Sequence, residues 1–216
     1  MIYPDRGAAG LALAARLLRL RTSDPLLLGL PRGGIPVALA VRDTIGGEVD
    51  ILLVRKLGVP WQPELAMGAI GEDGARVLNH DVMRTTGVTP EQFAEIERRE
   101  RVELERRRHL LRGKPPVPLQ DRTVVIVDDG MATGATVAVA CEVAYLHRPR
   151  RVIVAVPVSS VEALLRIRTC ADEVVCPLVP RFLGGVGGVY RDFHQLTDDE
   201  VVRLLHPAEP DAAEQD

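Results

Sequence analysis

The residues best suited to chemistry are two consecutive carboxylates, Asp128 and Asp129. They follow the run Thr123-Val124-Val125-Ile126-Val127 and precede Gly130-Met131-Ala132-Thr133-Gly134-Ala135-Thr136. The β-branched run reads as a strand buried on both faces, and the small residues after the acids open directly onto an apolar helix. In an open α/β sheet, ligands collect outside the carboxyl ends of the strands, and the first N–H groups of a helix are free to hold a phosphate. The carboxylates cannot bind phosphate themselves. The ligand implied is therefore phosphate at one end and hydroxylated or metal-bearing at the other, which a sugar phosphate with Mg²⁺ satisfies.

A second anion cradle precedes this one. The apolar run Pro25–Leu30 ends in Pro31-Arg32-Gly33-Gly34-Ile35-Pro36, where two glycines bare the backbone N–H groups, Arg32 supplies a forked cation and Pro36 suits a helix's first turn. A third apolar run, Asp50–Val54, is closed by Arg55-Lys56, two cations expected at a strand end beside the same polyanionic ligand. From Leu57 to Gly74 the composition shifts to Gly, Pro and isolated apolar residues around the single Trp61, which reads as a mobile lid with Glu64 and Glu72 as its acids.

The segment Val124-Val125-Ile126-Val127-Asp128-Asp129-Gly130-Met131-Ala132-Thr133-Gly134-Ala135-Thr136 resembles the phosphoribosyl-pyrophosphate (PRPP) loop of type I phosphoribosyltransferases, and Pro31-Arg32-Gly33-Gly34 resembles their pyrophosphate loop. The resemblance covers about residues 25–195. It implies that Asp128 and Asp129 hold the ribose hydroxyls and that Ala132, Thr133, Gly134, Ala135 and Thr136 wrap the 5′-phosphate. Arg32, Gly33 and Gly34, with Arg55 and Lys56, then receive pyrophosphate. Mg²⁺ is implied as a cofactor held through ligand oxygens and water, with Asp128 and Asp129 as the side chains within reach of it. The expected partners are PRPP, a nitrogenous base and the pyrophosphate product. Ala132 stands where 6-oxopurine enzymes usually carry an Asp, which disfavours that substrate class. A PRPP-binding regulator that has lost catalysis is the alternative in another class. Gly130 departs from the branched apolar residue more usual there.

These residues need a scaffold, and alternating strands and helices supply one. An amphipathic helix over Asp5–Leu20, strands at Pro25–Leu30, Asp50–Val54, Thr123–Val127, Arg151–Pro157 and Glu173–Pro177, and helices after most of them predict an open, mostly parallel α/β sheet with helices on both faces. One domain is expected over residues 1–206, followed by a disordered acidic tail at 207–216. Thr89-Pro90-Glu91-Gln92 starts an inserted helix, about 90–112, whose Glu and Arg recur at i,i+4. That helix is open to three readings: a solvated surface, a homodimer contact or a cap over the site. Near the C-terminus, at about 177–195, Gly184-Gly185-Val186-Gly187-Gly188-Val189-Tyr190 lacks the last glycine of a dinucleotide fingerprint. By resemblance this segment is a small hood in which Tyr190 and Phe193 cover a base and Asp192 accepts from it. The same residues also fit a glycine loop around a core phenylalanine. With 216 residues, 46% hydrophobic content and a net charge of −3, the chain is large enough for a core and carries no general nucleic-acid surface. Cys141, Cys170 and Cys176 have no metal-ligand spacing and read as reduced residues of a cytoplasmic protein, and no apolar run is long enough for a membrane span.

Overall fold

In the computed structural model, residues 2–207 are described. In chain order the elements are α1 (Arg6–Ala14), β1 (Leu26–Gly29), α2 (Gly34–Ile45), β2 (Glu48–Ile51), β3 (Val54–Val59), β4 (Gln62–Gly71), β5 (Arg76–Leu78), α3 (His80–Thr86) and α4 (Pro90–Leu111). The second half adds β6 (Thr123–Val127), α5 (Ala135–Leu146), β7 (Arg151–Ala155), α6 (Val161–Ile167), β8 (Glu173–Val175) and α7 (Asp198–Leu205). Five strands pair in the order β2-β1-β6-β7-β8, every neighbour parallel. This is the expected open α/β sheet.

Successive side chains of a strand point to opposite faces, so the continuous apolar runs serve two cores at once. Leu26, Leu28, Val124, Ile126, Val152 and Val154 pack with Val137, Val139, Ala140 and Val143 of α5 on one face. Leu27, Val125, Val127, Ile153 and Ala155 pack with Leu13 of α1 and Val37, Ala38 and Val41 of α2 on the other. The predicted first helix is shorter than expected: α1 ends at Ala14, and a separate 3₁₀ turn covers Leu18–Leu20.

The larger correction concerns residues 54–78. They form a second, antiparallel sheet, β3-β4-β5, where the sequence reading expects a strand end followed by a loop-like segment. Arg55 and Lys56 lie inside β3, because the core strand stops at Ile51 and the chain turns before them. The small residues that gave the stretch its loop-like composition serve close backbone approach: a Cβ on Gly58 would strike the Pro63 carbonyl, and one on Gly68 the Val77 carbonyl.

Helix α4 lies over this second sheet, burying Phe93, Ile96, Leu104 and Leu111 with Leu57, Met67 and Ile70, and its start carries the expected capping box of Thr89 and Gln92. Its end is fixed by a buried ionic knot. Arg112 reaches Asp50 at 2.8 Å, Glu72 through two nitrogens and the Ile51 carbonyl at 2.9 Å, while the Val117 N–H donates to Asp50 at 2.9 Å. Glu72 is therefore a structural acid and not a proton-transfer group of a lid. The half-buried i,i+4 pairs Glu97–Arg101 and Glu103–Arg107 form, whereas Glu95 takes Arg98 and Arg99 takes Glu100. Residues 208–216, the rest of the expected tail, lie outside those described.

Candidate active site

The carboxyl ends of β1 and β6 are neighbours, and this adjacency brings the two predicted loops together. The Leu30 N–H donates to the Val127 carbonyl at 2.9 Å, and α2 starts at Gly34 immediately after the loop. The Pro31–Arg32 peptide is cis. Here the two glycines act through size: a Cβ on Gly33 would sit on the Asp129 carboxylate, and one on Gly34 would strike the Val127 carbonyl. Gly130 has an equally local reason, since Val158 and Val186 fill the space a side chain would need.

Beyond the acids the chain folds back on β7. Met131 bridges to Ser159, and the Ala132 and Thr133 carbonyls are taken by the Ser160 hydroxyl at 2.8 Å and the Arg166 guanidinium at 3.1 Å. These bonds pin the turn's carbonyls, and its Ala135 N–H donates to the Thr133 hydroxyl at 3.3 Å. Gly134, at φ +70°, supplies the left-handed step that starts α5. Ala132, Thr133 and Thr136 are exposed and Ala135 half-buried, so the phosphate turn read from the sequence is an accessible helix N-terminus.

The acids are far less free. Asp128 accepts from the Asp129 N–H at 2.9 Å, and burial, reinforced by the charge of Asp129, pushes its carboxyl well above the usual range. Burial also raises Asp129, against the opposing pull of Arg6, whose Nε donates to Asp129 Oδ2 at 2.9 Å. Arg6 was not singled out in the sequence. It is 9% exposed, donates from Nη1 to the His194 carbonyl at 3.0 Å and lies over the Phe193 ring, 4.0 Å from its centroid.

Around the acids the predicted cations and aromatics are dispersed. Arg32 points toward Asp198 of α7 at 3.7 Å. Arg55 is paired with Glu100 of α4 at 2.5 Å and Lys56 with Glu64 at 3.1 Å. Both line a cleft of about 530 Å³ bounded by α4, the β3–β4 hairpin, Pro31 and Thr136, with Arg99 and Arg107 of α4 also on its wall. Tyr190 departs from the expected base-covering role. It is 6% exposed, packs on Tyr3 and Phe193, and donates its hydroxyl to the Asp129 carbonyl at 2.6 Å. Phe193 is spent beneath Arg6, and Asp192 accepts from the His194 N–H at 3.1 Å. The exposed aromatic residue of the 177–195 segment is Phe182, at 87%. Among the described residues no helix is long and apolar enough to cross a membrane.

A family model described as "Phosphoribosyl transferase domain" matches residues 4–193. Two Mycobacterium tuberculosis proteins, "Putative phosphoribosyl transferase MT0597" (strain CDC 1551 / Oshkosh) and "Putative phosphoribosyl transferase Rv0571c" (strain ATCC 25618 / H37Rv), are each 49% identical over 214 residues, 99% of this chain. The chain spans about half their length, 48% of each. A crystal structure of TT1426 from Thermus thermophilus superposes with a TM-score of 0.86 at 42% identity, covering 95% of this chain and 98% of that one. AQ2163 from Aquifex aeolicus, at 15% identity and a TM-score of 0.52 over 94% of this chain and 86% of its own, shares the fold.

Proposed function

Because the chain belongs to the phosphoribosyl transferase domain family, we propose that it binds PRPP with Mg²⁺ and transfers its 5-phosphoribosyl group to a nitrogenous base. The observation that carries this reading is the meeting of Gly33 with the Asp129 carboxylate. Two loops about a hundred residues apart, one suited to pyrophosphate and one to ribose and 5′-phosphate, share a single wall there.

The chemistry breaks the bond from ribose C1 to the pyrophosphate oxygen, whose electron pair leaves with pyrophosphate. It forms a bond from the base nitrogen to C1, and the proton that nitrogen gives up passes to the departing pyrophosphate. The turn from Ala132 to Thr136 holds the 5′-phosphate, and Asp128 and Asp129 orient the ribose hydroxyls. Arg55 and Lys56 flank the cleft that receives pyrophosphate, assisted by the Gly33-Gly34 backbone and Arg32. Hard carboxylate oxygens in a fixed frame suit Mg²⁺, and two acids alone leave most of its coordination sphere to ligand oxygens and water. When bound, that ion would neutralise charge on the leaving group. The hairpin and α4 wall the cleft and are the elements placed to shut water out once substrate is bound.

Thermal melting with PRPP and Mg²⁺, followed by a screen of bases for pyrophosphate release, tests the reading. At about 100 times its Kd a ligand adds roughly 2.7 kcal/mol of stability, a shift that melting resolves easily. An unmoved melting curve overturns the assignment. Binding without turnover on any base makes the protein a PRPP-responsive regulator.

A further inference from the structure

We propose that Arg6 is a positioning residue for the ribose site: by holding Asp129 Oδ2 it leaves Oδ1 as the one directed acceptor for a ribose hydroxyl. The inference rests on the PRPP reading above. Its starting point is how completely Arg6 is committed. Nε is bonded to Asp129 at 2.9 Å, Nη1 to the His194 carbonyl at 3.0 Å, and the guanidinium plane covers Phe193. A lysine ammonium could not make these three contacts together.

The chain around Arg6 is built to hold it there. The Tyr3 N–H donates to the Val189 carbonyl at 2.8 Å, and the Arg191 and Asp192 N–H groups return to the Tyr3 and Pro4 carbonyls at 2.8 and 2.9 Å. Asp5 caps α1 by accepting from the Ala8 N–H at 2.8 Å. Tyr190, from the same segment, bonds the Asp129 main chain, so both the backbone and the side chain of this acid are fixed from one direction. From the other direction Gly33 closes the space. Asp129 therefore has one place to put its carboxylate.

A purely structural ion pair is a weaker account. Buried pairs contribute little net stability over apolar packing, and an isolated buried carboxylate is costly without a partner. At a strand end that meets a ligand, the same pair does something packing cannot: it keeps one carboxylate oxygen at a set angle, in register with the phosphate turn.

The test titrates PRPP and, separately, inorganic pyrophosphate, both with Mg²⁺, into the wild type, Arg6→Met, Arg6→Gln and Arg6→Lys by calorimetry. Pyrophosphate lacks the ribose and serves as the internal control. The expected result for Arg6→Met and Arg6→Gln is a loss of PRPP affinity of at least 30-fold with pyrophosphate affinity within threefold; Arg6→Lys, which can keep one bond to Asp129 Oδ2 but not the contacts to His194 and Phe193, recovers only part of the loss. In an Asp129→Asn background Arg6→Gln should cost less than threefold, since the group it positions is gone. PRPP binding unchanged in Arg6→Gln overturns the inference. So does an equal loss for PRPP and pyrophosphate, or an undiminished loss in the Asp129→Asn background. If Arg6→Met does not fold, Arg6→Gln and Arg6→Lys decide alone. A wild type that binds pyrophosphate but not PRPP defeats the function reading itself, and this inference with it.

Discussion

At the scale of the residue, the acidic pair is held in an arrangement that works against the stability of the fold. Asp128 carries a raised pKa, caused first by burial and then by Asp129. The folded state therefore binds its proton more tightly than the unfolded chain, and this group's contribution to stability is lost as pH rises from the unfolded value through the folded one. Asn keeps the shape and does not titrate. Asp128→Asn should accordingly melt above the wild type at pH 8, by about 2–4 °C for each kcal/mol relieved, and the gap should narrow toward pH 5. PRPP-induced stabilisation should fall in the same variant, and melting curves with and without ligand across that pH range check both halves. Gly33→Ala is the steric counterpart. The added Cβ meets the Asp129 carboxylate, so PRPP affinity should drop at least tenfold, while stability falls by only the roughly 1–3 kcal/mol typical of a local overpacking. Wild-type PRPP binding in Gly33→Ala would mean that the two loops do not share a wall in solution.

At the scale of the element, what the sequence disclosed depended on how local the signal was. The parallel strands and the turn that opens α5 were legible because Val124–Val127 and the small residues after Asp129 carry their information within a dozen positions. The β3–β4 hairpin was not legible. Its Gly58 and Gly68 serve cross-strand approach, a requirement that looks like loop composition until the partner strand is known. Arg6 was invisible for the same reason in stronger form, since its acceptor lies 123 residues away. Tyr190 was recognised as notable but for the wrong reason, because an aromatic in a glycine-rich segment gives no sign of which side its hydroxyl will face. The knot at the end of α4 is a further long-range feature. Arg112→Met leaves Asp50 and Glu72 buried without their cation and should destabilise by about 3–5 kcal/mol, measured by urea unfolding. Removing any one exposed pair of α4, such as Glu95–Arg98, should leave the urea midpoint nearly unmoved. Equal costs for the two kinds of pair would refute the distinction.

At the scale of the whole molecule, the sheet and its two flanking cores form one tier, and the hairpin with α4 and α7 forms a second. The second tier rests on the first through Val54, Ala69 and Val77 against α5 and through the Arg112 knot, with no strand pairing between the two sheets, so it should open at a lower free energy than the sheet. Hydrogen exchange should show the slowest amides in β1, β6 and β7 and faster ones in β3–β5, and Arg112→Met should speed the latter while sparing β6. Uniform protection across both tiers would show a single cooperative unit. The bond from Leu30 to Val127 has a consequence in time. During synthesis the first cradle leaves the ribosome roughly a hundred residues ahead of the second, and domains are assembled as the chain emerges. On the proposed reading neither half alone sets a ribose clamp opposite a pyrophosphate loop, so a nascent chain should be blind to PRPP until β6 has docked beside β1 and α5 has begun, and the ligand should assist only the folding that follows.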